Sequence, residues 1–124
     1  MTELEKLQAG LPYDVNDPEV NARKLSAATG CARLEAIPVT DAAAKDAAIR
    51  DLFGSVGKNP NILPGFYCDN GKNIFVGDEF LANYRVTILD IAPVRMGNNV
   101  WIGPGSLLST VNHPLSRDGR RKHL

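Results

Sequence analysis

Two histidines, His113 and His123, are the only side chains in these 124 residues whose ordinary pKa lies near neutrality. They are therefore the candidates for a general base that takes a proton from a poor nucleophile. His113 stands in Val111-Asn112-His113-Pro114-Leu115. His123 stands in a basic run with Arg117, Arg120, Arg121 and Lys122. That run reads as a solvated loop more readily than as a phosphate-binding patch. The two cysteines, Cys31 and Cys68, are too few for a disulfide framework. Cys31 falls in a helical stretch and Cys68 in an inward column of a repeat, so both read as small core residues rather than ligands or nucleophiles.

The elements that position these groups follow a repeat. Val56-Gly57, Val76-Gly77 and Met96-Gly97 recur every twenty residues. Inside that period Val56, Ile62 and Cys68 are six apart, as are Val76, Ala82 and Ile88, and Met96, Ile102 and Leu108. Each block is three six-residue steps plus two spare residues. A triangular coil of short strands produces this pattern, with one column of buried side chains per side. The position four residues into a step is often apolar or small as well: Pro60, Phe66, Phe80, Val86, Ala92, Val100 and Ser106. Glycines 57, 77, 97 and 103 follow the starting hydrophobes, where a tight corner favours a residue without Cβ. Trp101 points outward by its place in the step. Three coils account for residues 56–113, and residues 114–124 read as a basic loop leaving the coil.

Before the coil, residues 1–55 read as helical. Thr2-Glu3-Leu4-Glu5 has the form of a capping box, with Gly10 as the stop. Asp17-Pro18-Glu19 starts a second helix, with Gly30 as a plausible stop. Asp41 to Phe53 is alanine-rich with helical spacing and ends at Gly54. These short amphipathic helices are expected to pack on the solenoid and cover its first coil.

Charge and composition exclude several classes. Lys plus Arg equals Asp plus Glu at 14 each, so nothing global recommends nucleic acid or an anionic membrane. No apolar run approaches the roughly 20 residues that span a bilayer. The charged start Met1-Thr2-Glu3-Leu4-Glu5-Lys6 is unlike a secretory signal. A reducing, cytoplasmic location fits the cysteine count.

Three stretches together resemble one family. They are Ala9-Gly10-Leu11-Pro12-Tyr13-Asp14 with Asp17-Pro18-Glu19; Cys68-Asp69-Asn70-Gly71-Lys72-Asn73-Ile74-Phe75-Val76-Gly77 running on to Ala82-Asn83; and Met96-Gly97-Asn98-Asn99-Val100-Trp101-Ile102-Gly103-Pro104, ending in Val111-Asn112-His113-Pro114-Leu115. The chain resembles the maltose and galactoside O-acetyltransferases, hexapeptide-repeat acyltransferases with a left-handed parallel β-helix. The resemblance implies acetyl transfer from acetyl-CoA to a sugar hydroxyl, in homotrimers with sites between subunits. It implies that His113 is the catalytic base and that Asp14 and Asp69 accept hydrogen bonds from sugar hydroxyls. Asn83 becomes a polar group near the acetyl donor. Asp90 is a further substrate-binding candidate, since it sits beside a position where some members carry a second acid, although Ile91 occupies the matching place here. The metal-dependent branch of hexapeptide proteins needs three histidines, and one is well placed here, so no metal is expected.

Coil arithmetic adds a geometric expectation. Asn73, Pro93 and His113 share one column, whereas Asn83 shares a column with Leu63 and Gly103 on another side. A six-residue side is roughly 20 Å long. Asn83 and His113 of one subunit are then too far apart to share a substrate, and if both are functional the site is expected between subunits, with His113 from one and Asn83 from its neighbour.

Relatives of this family continue into further coils, which build much of the coenzyme A groove. The chain is therefore expected to be C-terminally short, with an open edge on its third coil that invites aggregation. A second reading follows: a non-catalytic assembly or sugar-binding module.

Overall fold

The computed structural model of the protein describes residues 1–9, 11 and 13–110. His113 and the 114–124 loop lie outside the described residues. Three helices precede nine short strands: α1 (Glu3–Gln8), α2 (Pro18–Ala36) and α3 (Ala42–Leu52). The strands are β1 (Ser55–Val56), β2 (Asn61–Ile62), β3 (Tyr67–Cys68), β4 (Ile74–Val76), β5 (Leu81–Ala82), β6 (Thr87–Leu89), β7 (Val94–Arg95), β8 (Trp101–Ile102) and β9 (Leu107–Ser109).

The strands form three parallel three-stranded sheets, β1-β4-β7, β2-β5-β8 and β3-β6-β9. Every registered pair is twenty residues apart: Val56 with Val76, Ile62 with Ala82, Ala82 with Ile102, Cys68 with Ile88, and Ile88 with Leu108. One coil is thus three strands and three corners, and coils stack through backbone hydrogen bonds such as Leu63 N–H to the Ala82 carbonyl at 2.9 Å. The inward columns fill the prism. Ile62, Cys68, Ala82, Ile88, Phe80 and Val86 are all buried.

The two spare residues per coil sit at the third corner, between β3 and β4 and again between β6 and β7. Because strand residues alternate faces, Ile74 joins Val76 inside, with Phe75 outside between them. Val94 packs against the core in the next coil, the inward place that the six-residue count gave to Ala92.

The repeat glycines answer a close approach, not an unusual backbone. A Cβ on Gly57 would fall against the Asp78 carboxylate and the Gly77 carbonyl carbon of the coil above; one on Gly77 would meet Asn98 Oδ1. Those side chains are in place because each accepts a backbone hydrogen bond from the coil below: Lys58 N–H to Asp78 Oδ1 at 2.8 Å and Asp78 N–H to Asn98 Oδ1 at 2.7 Å. The left-handed residues lie elsewhere in the corners, at Asn59, Glu79 and Asn99 in the first and at Gly65, Arg85 and Gly105 in the second.

The helical leader starts as its caps dictate. Thr2 and Glu5 complete a reciprocal capping box on α1. Asp17 accepts from the Glu19 and Val20 N–H groups, with Pro18 in the first turn. Gly30 does not stop α2, which runs on to Ala36. Its lack of a side chain instead makes room for Leu52 of α3, whose Cδ1 would lie 2.8 Å from a Cβ there. Two further turns bury Cys31 and Leu34 against the coil, which outweighs the roughly 1 kcal/mol that an interior glycine costs. Ala27, Cys31, Leu34, Ala48, Ile49, Leu52 and Phe53 of the leader share one core with the inward columns. The leader also reaches past the first coil: Leu7, Tyr13 and Val20 form a second cluster with Ile91. Among the described residues no helix is long and apolar enough to cross a membrane.

Candidate functional site at the third corner

The third corner gathers most of the polar residues singled out from the sequence. Asp69 follows β3 directly and Asn70, Gly71, Lys72 and Asn73 complete the turn. Gly71 is buried at φ +80°, and a Cβ there would meet the Leu52 carbonyl of α3. Only glycine allows helix and corner to approach so closely.

Asp90 holds this corner from behind. It is fully buried, and its Oδ1 accepts the Asn70 N–H at 2.9 Å across the coil step. Asn73 Nδ2 donates to the Asp90 carbonyl at 3.2 Å and to the Ile91 carbonyl at 2.7 Å. Asp90 Oδ2 has no hydrogen-bond partner among the described residues. Burial raises the Asp90 carboxyl above the ordinary carboxylate range, opposed by backbone N–H groups of Asn70, Asp90, Gly71 and Asn73.

The sign of the resulting pH effect is fixed. A carboxyl with a raised folded pKa gives stability that is full below its unfolded value of about 3.9 and is lost as pH rises through the folded value. Asp90→Asn removes this loss. In denaturant titrations the variant is expected to gain on the wild type between pH 4 and pH 7. Parallel wild-type and variant curves across that range would contradict the assignment.

The leader supplies the other wall. Tyr13 is buried in a cluster with Leu7, Val20 and Ile91, and burial followed by the Asp69 charge raises its phenol pKa. The Tyr13 hydroxyl has no hydrogen-bond partner among the described residues. Asp14 is exposed beside it. Its Oδ1 accepts the Asn16 N–H at 2.9 Å, and its own N–H donates to Glu3 Oε2 at 2.6 Å, so the loop is tied at both ends.

A groove of about 540 Å³ runs from this corner between α2 and α3, lined by Arg23, Thr29, Arg33, Asp51, Asn70 and Lys72 among others. Two buried donors on its walls, Arg23 Nη1 and Asn70 Nδ2, have no partner among the described residues. An unpaired buried donor costs about 1–3 kcal/mol, a cost that a polar ligand would relieve. Arg23 and Tyr13 were not singled out from the sequence. A signal was present for Arg23: it lies three residues after Val20 and four before Ala27, a charge within the buried stripe of α2.

Asn83 stands apart from this group. It opens the second corner, after β5, with its N–H donating to the Ile102 carbonyl at 3.0 Å and its Oδ1 accepting the Tyr84 N–H at 2.7 Å. Asn73 stacks under Pro93 at the third corner, where Val94 N–H reaches the Asn73 carbonyl at 2.7 Å. The structure therefore brings Asp69, Asp90 and the Tyr13-Asp14 loop to one edge of the prism and Asn83 to another. Trp101 is 74% exposed on the outer face of β8. Among the described residues no group of three or more His, Cys, Asp or Glu side chains could hold a metal ion.

Capped helices leading into stacked coils of short strands in six-residue steps define the hexapeptide-repeat class of β-solenoid. Residues 6–57 match the maltose acetyltransferase hexapeptide capping motif. Nodulation protein L of Rhizobium meliloti is 34% identical over 99% of the chain and 67% of its own length. A maltose O-acetyltransferase from Clostridium difficile superposes with a TM-score of 0.93 at 32% identity, over 98% of this chain and 65% of that one. A hexapeptide-repeat acetyltransferase from Vibrio cholerae, solved with acetyl coenzyme A, superposes at 0.83 with 34% identity, over 98% and 65%. The chain belongs to the maltose and galactoside O-acetyltransferase family, and its coil is the left-handed parallel β-helix of that family. It spans less than two thirds of the length of several of these relatives.

Proposed function

We propose that this chain transfers an acetyl group from acetyl-CoA to a hydroxyl of a maltose-, glucose- or galactoside-type sugar, in a homotrimer whose sites lie between protomers. The observation that carries the reading is the continuous match of leader and coils to acetyltransferases, with Leu52 and Phe53 of the leader packed against Gly71 and Lys72 of the third corner. His113, twenty residues after Pro93 in the sequence, takes the proton from the sugar hydroxyl. The hydroxyl oxygen attacks the thioester carbonyl, a C–O bond forms, and the C–S bond breaks to release coenzyme A as its thiol. Holding both substrates together contributes several kcal/mol in its own right.

Asp14 and Asp69 accept hydrogen bonds from sugar hydroxyls, and Arg23 and Asn70 supply donors from the groove. Asp90 orders the corner that carries them. Asn83 comes from the neighbouring protomer. The Tyr84 N–H engages its Oδ1, which leaves the Nδ2 donor for the acetyl-CoA side of the site. The twenty-residue register supports this division, because it separates the Asn73–Pro93 column from Asn83 by a side of the prism.

The experiment is thiol release from acetyl-CoA with and without a glycoside. Release that saturates with sugar is expected. A well-folded sample with no sugar-dependent release above a His113→Ala control favours the second reading, a sugar-binding module, which equilibrium sugar binding then tests.

A further inference from the structure

We propose that Cys31 and Cys68 are a redox modification site, a dithiol that closes to a disulfide and ties α2 to the first coil. Cys31 Sγ and Cys68 Sγ lie 3.6 Å apart, although 37 residues separate them in the chain. Both are reduced and buried, at 7% and 0% exposure. A disulfide needs a sulfur–sulfur distance near 2.05 Å. The closure required is therefore about 1.5 Å, within reach of a small side-chain rotation on each element.

The two sulfurs are not equivalent. Cys31 lines a cleft of about 40 Å³ together with Leu34, Lys45, Ile62 and Phe66, whereas Cys68 does not. A water needs about 10–15 Å³ of such space, so the cleft admits an oxidant as small as hydrogen peroxide. The Cys68 S–H and a backbone hydrogen bond from Cys68 favour the Cys31 thiolate, and Cys68 is pushed upward in turn. Cys31, the sulfur that the cleft reaches, is thus the attacking one and Cys68 the resolving one.

The chemistry balances with peroxide as the oxidant. The Cys31 thiolate attacks one peroxide oxygen, the O–O bond breaks, and hydroxide leaves as Cys31 becomes a sulfenic acid. The Cys68 sulfur then attacks the Cys31 sulfur, the S–O bond breaks, and a second hydroxide leaves. The two thiol protons convert both hydroxides to water. A thiol reductant reverses the bond. The covalent tie joins leader to coil beside Asp69, at the corner already described.

The test treats the folded protein with hydrogen peroxide and maps its tryptic peptides without reduction. The expected product is a cross-link between peptides 25–33 and 59–72, with a mass about 2 Da below the sum. A thiol reductant should reverse it, and Tm should rise by roughly 5–10 °C on closure. Cys31→Ala should leave Cys68 a free thiol under the same treatment, and Cys68→Ala should let Cys31 proceed to the sulfinic acid. Three results would overturn the proposal: both thiols unmodified at peroxide levels that oxidise the unfolded chain, cross-links between two chains only, or Cys31 of the wild type passing to the sulfinic acid with Cys68 still free. The wild-type peptide map decides even where an alanine variant fails to fold.

Discussion

Replacing His113 with alanine is expected to lower kcat for acetyl transfer by about 10²–10⁴-fold while KM for acetyl-CoA changes little. A sugar hydroxyl is a weak nucleophile while it keeps its proton, so the base acts in the transition state and contributes little to binding. In the proposed role His113 also sets the pH profile. A protonated imidazole cannot accept the hydroxyl proton, so the wild-type rate should fall as pH drops through the titration of that base. The variant should lose that limb and keep only slow background transfer. His123→Ala, in the basic run beyond the coils, should leave kcat within a few-fold. A folded His113→Ala protein with near-wild-type kcat would move the base elsewhere.

Phe53→Ala should destabilise the protein by about 3–5 kcal/mol. Phe53 caps α3, is 1% exposed, and lies 5.8 Å from the Phe66 ring and 6.0 Å from the Phe80 ring. It is therefore the side chain through which the helical leader grips the first two coils. The cavity walls are carried by hydrogen-bonded coils that cannot collapse inward, so most of the lost contact should remain unrecovered. The contrast is Trp101→Ala at the exposed outer face, which should shift protomer stability by no more than about 0.5 kcal/mol. Denaturant titration at fixed protein concentration checks both. A loss under about 1 kcal/mol at Phe53 would mean that the leader folds and docks without this ring.

What the sequence revealed was whatever a period controls. Val76, Ile62, Ala82, Ile102, Cys68 and Ile88 recur at six and twenty, and each is buried in register. Ile74 and Val94 were missed because the two spare residues carry no periodic mark, and only the structure assigns them to the third corner. Gly30 misled for a related reason. Locally it has the chemistry of a helix stop, but its use is to admit Leu52 from the end of the next helix. The repeat glycines are visible in the sequence, but the requirement for them is not local: it comes from Asp78 and Asn98 of the coil above. At the candidate site, Asp69 and Asp14 could be named from resemblance. That Tyr13 joins them depends on packing between segments more than fifty residues apart, which no local pattern encodes. Arg23 carried only a faint signal, a charge in an apolar stripe. The partnership of Cys31 with Cys68 carried none, since each alone reads as an ordinary core residue.

The division of the site between protomers can be tested by mixing two crippled proteins. His113→Ala and Asn83→Ala are each expected to show little acetyl-CoA-dependent thiol release with sugar. After joint unfolding and refolding at equal amounts, about a quarter of the interfacial sites should combine an intact His113 with an intact Asn83. Thiol release near a quarter of the wild-type rate is the expected result. A mixture no more active than its components, beside a refolded wild type that turns over normally, would contradict a site built from two protomers.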